Sequence, residues 1–215
     1  MIYFCACRII VGWATKYLTG VTAVRRYKSA EVYAKVKVLF NEFAKLWQGW
    51  GITAETIYER DDEGLWLLKY GGNVLRPLHI SIDPNPFNRK DLLWVSLITY
   101  GKRETIRADK QCRRSLRHYF GRLTEHLVME AAHAPAIEKS KLHIYKAGKE
   151  FFHLNIGHAS LRFSFHWRRK GWTWMIRRWI DNRGFVTIDR VYRPHAENPI
   201  ETFIAIISNI GLSFL

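Results

Sequence analysis

Residues 159–167 read ASLRFSFHW, and apolar and polar side chains alternate along this stretch. Successive side chains of a β-strand point to opposite faces of the sheet, so one face is apolar and the other carries Arg162 and His166. A basic turn, residues 168–171, follows, and a second apolar stretch begins at Trp172. The segment therefore predicts an antiparallel hairpin with one face toward a core and one hydrogen-bonding, cationic face.

Short apolar stretches separated by turn residues flank this hairpin on both sides. The predicted strands cover residues 53–60, 65–70, 74–82, 92–99, 142–146, 151–156, 159–167, 172–180 and 185–192. Apolar spacings of three and four residues predict helices over about 29–48, about 108–131 and from Pro199, with Asn198 as N-cap of the last. We therefore expect an α+β fold with two antiparallel β-sheet units, each a β-meander followed by a helix, and three main helices. The shared order of elements favours an internal repeat.

The length of 215 residues allows one large domain or two small ones. Residues 1–28 form a basic N-terminal segment, 29–135 hold a helix, four strands and an Arg-rich helix, and 136–215 hold a sheet and the C-terminal helix. No acidic residue precedes Glu31; the segment is expected to hold an edge strand over 2–11, and a mitochondrial presequence, which this composition also suits, is the alternative. The expected compartment is the cytoplasm, with the mitochondrial matrix as the alternative.

The charge balance points to an anionic partner. The chain has 34 Lys and Arg against 19 Asp and Glu, a formal net charge of +15, and 48% of its residues are hydrophobic. This composition excludes a disordered basic tail. No window approaches the roughly 18 apolar residues of a membrane span, so no transmembrane segment is expected. Three cysteines are too few for a disulfide framework and indicate a reducing compartment.

The first concentration of positive charge lies on the second helix. Residues 102–125 contain eight Lys and Arg side chains against three carboxylates. At 100° per residue, four of the cations fall opposite the apolar stripe of the helix: Lys110, Arg113, Arg114 and Arg117. Such a run can simply be solvated, but an anionic partner would relieve the repulsion between neighbouring cations.

The second concentration mixes cations with aromatic residues on predicted strands. Arginine binds phosphate through two parallel hydrogen bonds, and indole rings stack on unpaired bases. The candidate binding residues here are Arg162, His166, Arg168, Arg169, Lys170, Trp172, Trp174, Arg177 and Arg178. A core composed of all the tryptophans, with arginines that only solubilise the surface, is the alternative interpretation.

The repeated order of antiparallel strands and a helix, with four strands in the first unit and five in the second, resembles the tandem arrangement of Whirly-type and PUR-repeat proteins that bind single strands. The resemblance is one of element order and assigns no residues. Together with the charge pattern it leads us to expect non-catalytic binding of RNA or single-stranded DNA, with a larger ribonucleoprotein as one setting. No motif for a nucleotide cofactor or a metal stands in the sequence, so neither is expected.

Two further functions stay open. The triplets His79-Ile80-Ser81 and His158-Ala159-Ser160 resemble those of two-histidine phosphoesterases, which implies acid–base work by His79 and His158 and phosphate contacts by Ser81 and Ser160. Residues 152–156, downstream of the Arg-rich helix, resemble the late portion of metal-independent CRISPR RNA-processing endoribonucleases. The other alternative is an interaction protein, viral or accessory, whose basic face inhibits a nucleic-acid machine.

Overall fold

The structure is a computed structural model that describes residues 28–84, 92–147 and 150–212. The predicted N-terminal segment, residues 1–28, lies outside these ranges except for residue 28. The strands are β1 (Ile52–Glu59), β2 (Glu63–Tyr70), β3 (Asn73–Pro84), β4 (Leu93–Thr99), β5 (Lys102–Arg107), β6 (Ile144–Ala147), β7 (Phe151–Ile156), β8 (Ala159–Arg168), β9 (Gly171–Ile180) and β10 (Gly184–Arg193). The helices are α1 (28–49), α2 (Cys112–Ser140) and α3 (Pro199–Leu212).

The ten strands form two antiparallel sheets in which chain neighbours pair in order. Strands β1 to β5 form the first, which we call the N-sheet, and β6 to β10 form the second, the C-sheet. The predicted α+β fold class, with two antiparallel units and three helices, is confirmed. The predicted N-cap of α3 is also present, because Asn198 Oδ1 accepts hydrogen bonds from the backbone N–H groups of Ile200 and Glu201 at 3.0 and 3.5 Å.

The N-sheet has five strands where the sequence pattern predicts four. The additional strand is β5, whose first residues, Lys102 and Arg103, are predicted from the sequence to form a turn together with Gly101. The turn in the structure lies earlier, at Tyr100 and Gly101, which have φ angles of 43° and 73°. Two consecutive residues with positive φ make the tight hairpin turn that matches the twist of antiparallel strands.

Helix α2 lies at the centre of the molecule and packs against both sheets. It contacts β3 and β5 of the N-sheet, β6 and β8 of the C-sheet, and α3. Its buried side chains include Phe120 and Leu127, which belong to one continuous hydrophobic core. Helix α1 joins the same core, where the indole N–H of Trp47 donates a hydrogen bond of 2.9 Å to Thr124 Oγ1. Within the described residues, no helix is long and apolar enough to cross a bilayer.

Each sheet turns one face toward the helices and the other away from them, and each has an edge strand interrupted by a bulge. In β1 the register shifts between Thr56 and Tyr58. In β10 it shifts between Thr187 and Asp189. The residue inserted at each bulge is an isoleucine, Ile57 or Ile188, and both are about half exposed.

Candidate nucleic-acid interface

Strand pairing in the C-sheet determines which side chains share a face, because residues paired across an antiparallel ladder point the same way. The paired residues Phe152, Phe163 and Ile176 are buried toward the helices. The adjacent row therefore points away from the helices, and we call this side the outer face of the C-sheet. Apart from Arg168 at the end of β8, its cationic, aromatic and histidine residues are Tyr145, Phe151, His153, Arg162, His166, Arg177, Trp179, Phe185, Arg190 and Tyr192.

Three arginines give this face its charge. Arg162 of β8 pairs with Arg177 of β9, and Arg190 of β10 pairs with Met175 of β9. None of the three forms an ion pair within the described part of the chain. The outward positions of β6 to β10 include no Asp or Glu. The face therefore has a surplus of positive charge, although the carboxylate of Glu150, in the turn before β7, acts on His166 of this face.

Arg162 occupies the centre of the face between two phenylalanine rings. Its Cζ atom lies 4.6 Å from the ring centroid of Phe151 and 3.7 Å from that of Phe185. Its Nε is buried and has no hydrogen-bond partner. Cation–π contacts on both sides hold the guanidinium in place without neutralising it, so its charge and remaining N–H groups can serve a ligand.

Exposed aromatic rings lie on the same face as this arginine. Tyr145, Trp179 and Tyr192 are 52%, 49% and 50% exposed. Trp179 packs edge-on against Phe185, with ring centroids 5.2 Å apart. The Tyr192 ring lies above Gly171, where a side chain would collide with its hydroxyl group and with the backbone carbonyl of Arg193. Half-exposed rings fixed by their neighbours can stack on unpaired bases, because every base has a π-face.

Two histidines complete the outer face, and each is close to a serine hydroxyl. His153 Nε2 lies 2.6 Å from Ser160 Oγ, and His166 Nε2 lies 2.9 Å from Ser164 Oγ. Burial lowers the pKa of His153, and the charge of Arg162 lowers it further. Burial also lowers the pKa of His166, with additional lowering by two arginines of the C-sheet and an opposing effect of Glu150. Both imidazoles therefore favour the neutral form, which suits hydrogen bonding to a serine hydroxyl.

The outer face of the N-sheet offers an internal contrast, because its charges are paired. Arg103 donates a hydrogen bond to the Asp83 carboxylate, and Lys69 forms an ion pair with Glu55. His79 Nε2 lies 3.5 Å from Glu63 Oε2. The surplus of cations is thus a property of the C-sheet and not of both sheets.

Two of the predicted stacking residues belong to the core instead. Trp172 and Trp174 are 0% exposed, and they face the helices. Their indole N–H groups donate hydrogen bonds to the backbone carbonyls of Glu197 and Pro199, at 3.0 and 2.9 Å. They cannot stack on a base in this fold. Their place on the exposed side is taken by Trp179, which lies on the opposite face of β9.

The turn between β8 and β9 carries the predicted residues Arg168, Arg169 and Lys170, which we call the hairpin tip. All three are exposed, and none forms an ion pair within the described residues. Arg178 is exposed as well, but it pairs with Leu161 and so lies on the helix-facing side, at the end of the sheet. It is separated from the outer face.

The four predicted cations of the second helix are all exposed, although one carboxylate of α1 is close to two of them. Glu42 lies 3.6 Å from Arg113 and 3.5 Å from Arg117. Lys110 and Arg114 form no ion pair within the described residues. The helix therefore retains part of its surplus charge.

The two His-x-Ser triplets lie on different sheets. His79 and Ser81 belong to β3 of the N-sheet, and Ser81 Oγ donates a hydrogen bond to Asp83. His158 lies in the exposed turn between β7 and β8 and not inside a strand. The Ser160 hydroxyl is hydrogen-bonded to the His153 imidazole. The structure thus shows no contact that unites the four residues in one phosphate site. Among the described residues, no cluster of His, Cys, Asp and Glu could hold a metal ion.

Several outer-face residues were not among the predicted site residues: Tyr145, Phe151, His153, Trp179, Phe185, Arg190 and Tyr192. The alternation within β9 contained a usable signal, because Trp172, Trp174 and Ile176 share one parity and Met175, Arg177 and Trp179 share the other. Phe185 and Tyr192 join the outer face through the pairing of β10 with β9. The sequence of either strand alone does not indicate this pairing.

Comparison of the chain with protein-family models, with curated proteins and with solved structures finds no match.

Proposed function

We propose that the protein binds single-stranded nucleic acid, RNA or single-stranded DNA, on the outer face of the C-sheet. The observation that supports this most strongly is the composition of that face: three arginines without ion-pair partners, exposed aromatic rings, and no Asp or Glu at an outward strand position. Arginines contact phosphates, the rings stack on bases, and the combination is tolerant of sequence. An open sheet accepts a strand whose bases are unpaired, whereas the bases of a duplex are stacked on each other and unavailable.

Binding is measured by fluorescence anisotropy with a labelled oligonucleotide, as RNA in one arm and DNA in another. For single strands, the slope of log K against log salt is about −0.7 per phosphate contact. Three arginine contacts give a slope near about −2, which corresponds to about a 20-fold loss of affinity between 50 and 200 mM salt. A response that is flat with salt would contradict the proposal, and equal competition by duplex DNA would contradict its restriction to single strands.

A matched pair of charge reversals locates the site. Arg177→Glu removes a cation from the outer face of the C-sheet, and we expect it to weaken binding at least about fourfold at 0.15 M salt, the effect of one lost contact. Arg103→Glu makes the same change of net charge on the outer face of the N-sheet, where the arginine is already paired with Asp83. Equal losses in both variants would show that only the net charge matters.

A matched pair of tryptophan variants tests the stacking. Trp179→Ala removes a half-exposed ring, and we expect it to weaken binding by about 1–3 kcal/mol, in addition to the stability lost with its Phe185 contact. Trp174→Phe keeps an aromatic ring in the core but removes the donor to the Pro199 carbonyl. It should therefore lower stability and leave the affinity of the folded protein unchanged. If Trp179→Ala left the affinity unchanged and Trp174→Phe lowered it, stacking by Trp179 would be excluded.

A further inference from the structure

Trp167, the residue that precedes the hairpin tip, contacts helix α2 and so holds the tip close to this helix. The backbone N–H of Trp167 donates a hydrogen bond of 2.7 Å to Glu125 Oε1. The Trp167 ring lies over Gly121, so closely that a methyl group on this glycine would lie 2.7 Å from Trp167 Cδ1. Its ring centroid is also 5.8 Å from that of Phe43 in α1. The end of the hairpin is thus anchored to both helices.

Helical geometry places further basic residues beside this anchor. At 100° per residue, Arg114 and His118 lie on the same face of α2 as Gly121 and Glu125. The rise of 1.5 Å per residue puts Arg114 about 10 Å along the axis from Gly121. Arg114 and His118 are both exposed. The two basic regions that the sequence separates by about fifty residues are therefore neighbours in the fold.

The two carboxylates near this contact, Glu125 and Glu42, already interact with other groups of the protein. Burial raises the pKa of Glu125, while the Trp167 hydrogen bond and the charges of Arg168, His118 and Arg122 act in the opposite direction. Arg168 of the hairpin tip and Arg122 of α2 thus both act on this one carboxylate. The other nearby carboxylate, Glu42, is shared between Arg113 and Arg117.

We propose that a single strand bound on the outer face of the C-sheet continues over the hairpin tip and along α2, where its phosphates contact Arg168, Arg169, Lys170, Arg114 and Arg117. This inference rests on the proposed function of the C-sheet and extends it to longer ligands. Strand β8, with ten residues at about 3.3 Å each, is about 33 Å long. At the stacked spacing of about 3.4 Å per nucleotide, this length takes at most about ten nucleotides, so a longer strand must extend beyond the sheet.

The test compares two oligonucleotides of one base composition, about 6 and about 20 nucleotides long. The slope of log K against log salt is the readout, because it counts phosphate contacts and does not change with the number of binding registers. We expect about −2 for the short strand, from three contacts, and about −5 to −6 for the long strand, from five more. Equal slopes would overturn the extension and leave the C-sheet site intact, whereas no binding of either strand would contradict the proposed function itself.

Variants of α2 separate the two regions. Arg114→Glu should weaken binding of the long strand at least about fourfold at 0.15 M salt and leave the short strand unaffected. Lys139→Glu is the matched control, because it reverses an exposed charge near the other end of the same helix, about 37 Å away. Equal losses for the two variants, or equal losses for the two strands, would contradict the proposed path.

A gain of affinity provides a test that misfolding cannot mimic. Glu42→Gln removes the carboxylate near Arg113 and Arg117. We expect it to tighten binding of the long strand about threefold to fourfold, as for one additional phosphate contact, and to leave the short strand unchanged. A long strand whose affinity does not increase would show that its phosphates do not reach these arginines.

Discussion

Exposure differs sharply between tryptophans of the same strand. Trp172 and Trp174 have no exposed surface, whereas Trp179 is 49% exposed. The difference follows from parity along β9, and parity is available from the sequence. Composition alone groups all three with the neighbouring arginines, and this is why two core residues were included in the predicted site. Trp172 and Trp174 have a structural role, because both buried indoles donate hydrogen bonds to backbone carbonyls at or just before the start of α3.

The two outer-face histidines make stability depend on pH. The folded-state pKa values of His153 and His166 are lowered by burial and by nearby arginines. The unfolded chain therefore takes up protons first as the pH falls below about 6.5, and the folded state loses stability there. We expect the free energy of unfolding, from urea denaturation, to fall between pH about 7 and about 5.5. The double variant His153→Asn, His166→Asn should show a smaller fall, and an unchanged pH profile would contradict this assignment.

At the level of elements, most strands and helices follow from periodicity and turn residues, and the failures have local causes. Strand β5 reads KRETIR, in which Ile106 is the only apolar side chain and the only buried one. An edge strand that buries so little gives almost no alternation to detect. Helix α2 continues to Ser140 through Pro135, although the apolar pattern predicts an end near Ala131. Packing of Ala132 and Ala136 in the core outweighs the local preference against proline.

The contact between the β8–β9 hairpin and α2 requires a glycine at position 121. Gly121→Ala should stabilise an isolated helix by about 1 kcal/mol, but the added methyl group collides with Trp167. We expect a net loss of stability, because overpacking a core costs about 1–3 kcal/mol. Gly49→Ala, in α1, is the matched control, since nothing lies within 4 Å of the added carbon. Urea denaturation curves of the two variants should shift in opposite directions or, for Gly49→Ala, not at all.

At the level of the whole molecule, the sequence indicates two similar units but not how they share a helix. The Arg-rich helix was predicted to close the first unit, and its apolar stripe is visible in the sequence. Its other sides also contact β6, β8 and α3. These contacts join residues far apart in the chain, so the sequence pattern does not indicate them. The same limit applies to the candidate site. The sequence reveals its cations and aromatic residues, but strand order and pairing decide which of them face outward together.

An ion pair on α2 connects the two sheets. Arg76 of β3 is 5% exposed and donates from Nε to Glu130 Oε2 at 2.8 Å, while Lys146 of β6 lies 3.7 Å from the same carboxylate. Glu130→Ala should lower the free energy of unfolding by about 3–5 kcal/mol, because it leaves a buried guanidinium without a partner. Replacing both members, in Arg76→Met with Glu130→Leu, should recover most of that loss. A double variant as unstable as the single one would contradict this explanation.

The isoleucine bulges in β1 and β10 affect whether another copy of the chain can add a strand to these two sheet edges. An edge strand with an unbroken row of N–H and C=O groups is a template on which another chain can add a strand. Each bulge breaks that row near its middle and bends the strand, so neither sheet can be extended in register from these edges. These two edges are therefore poor templates for a strand of another copy, while the arginine-bearing face stays open.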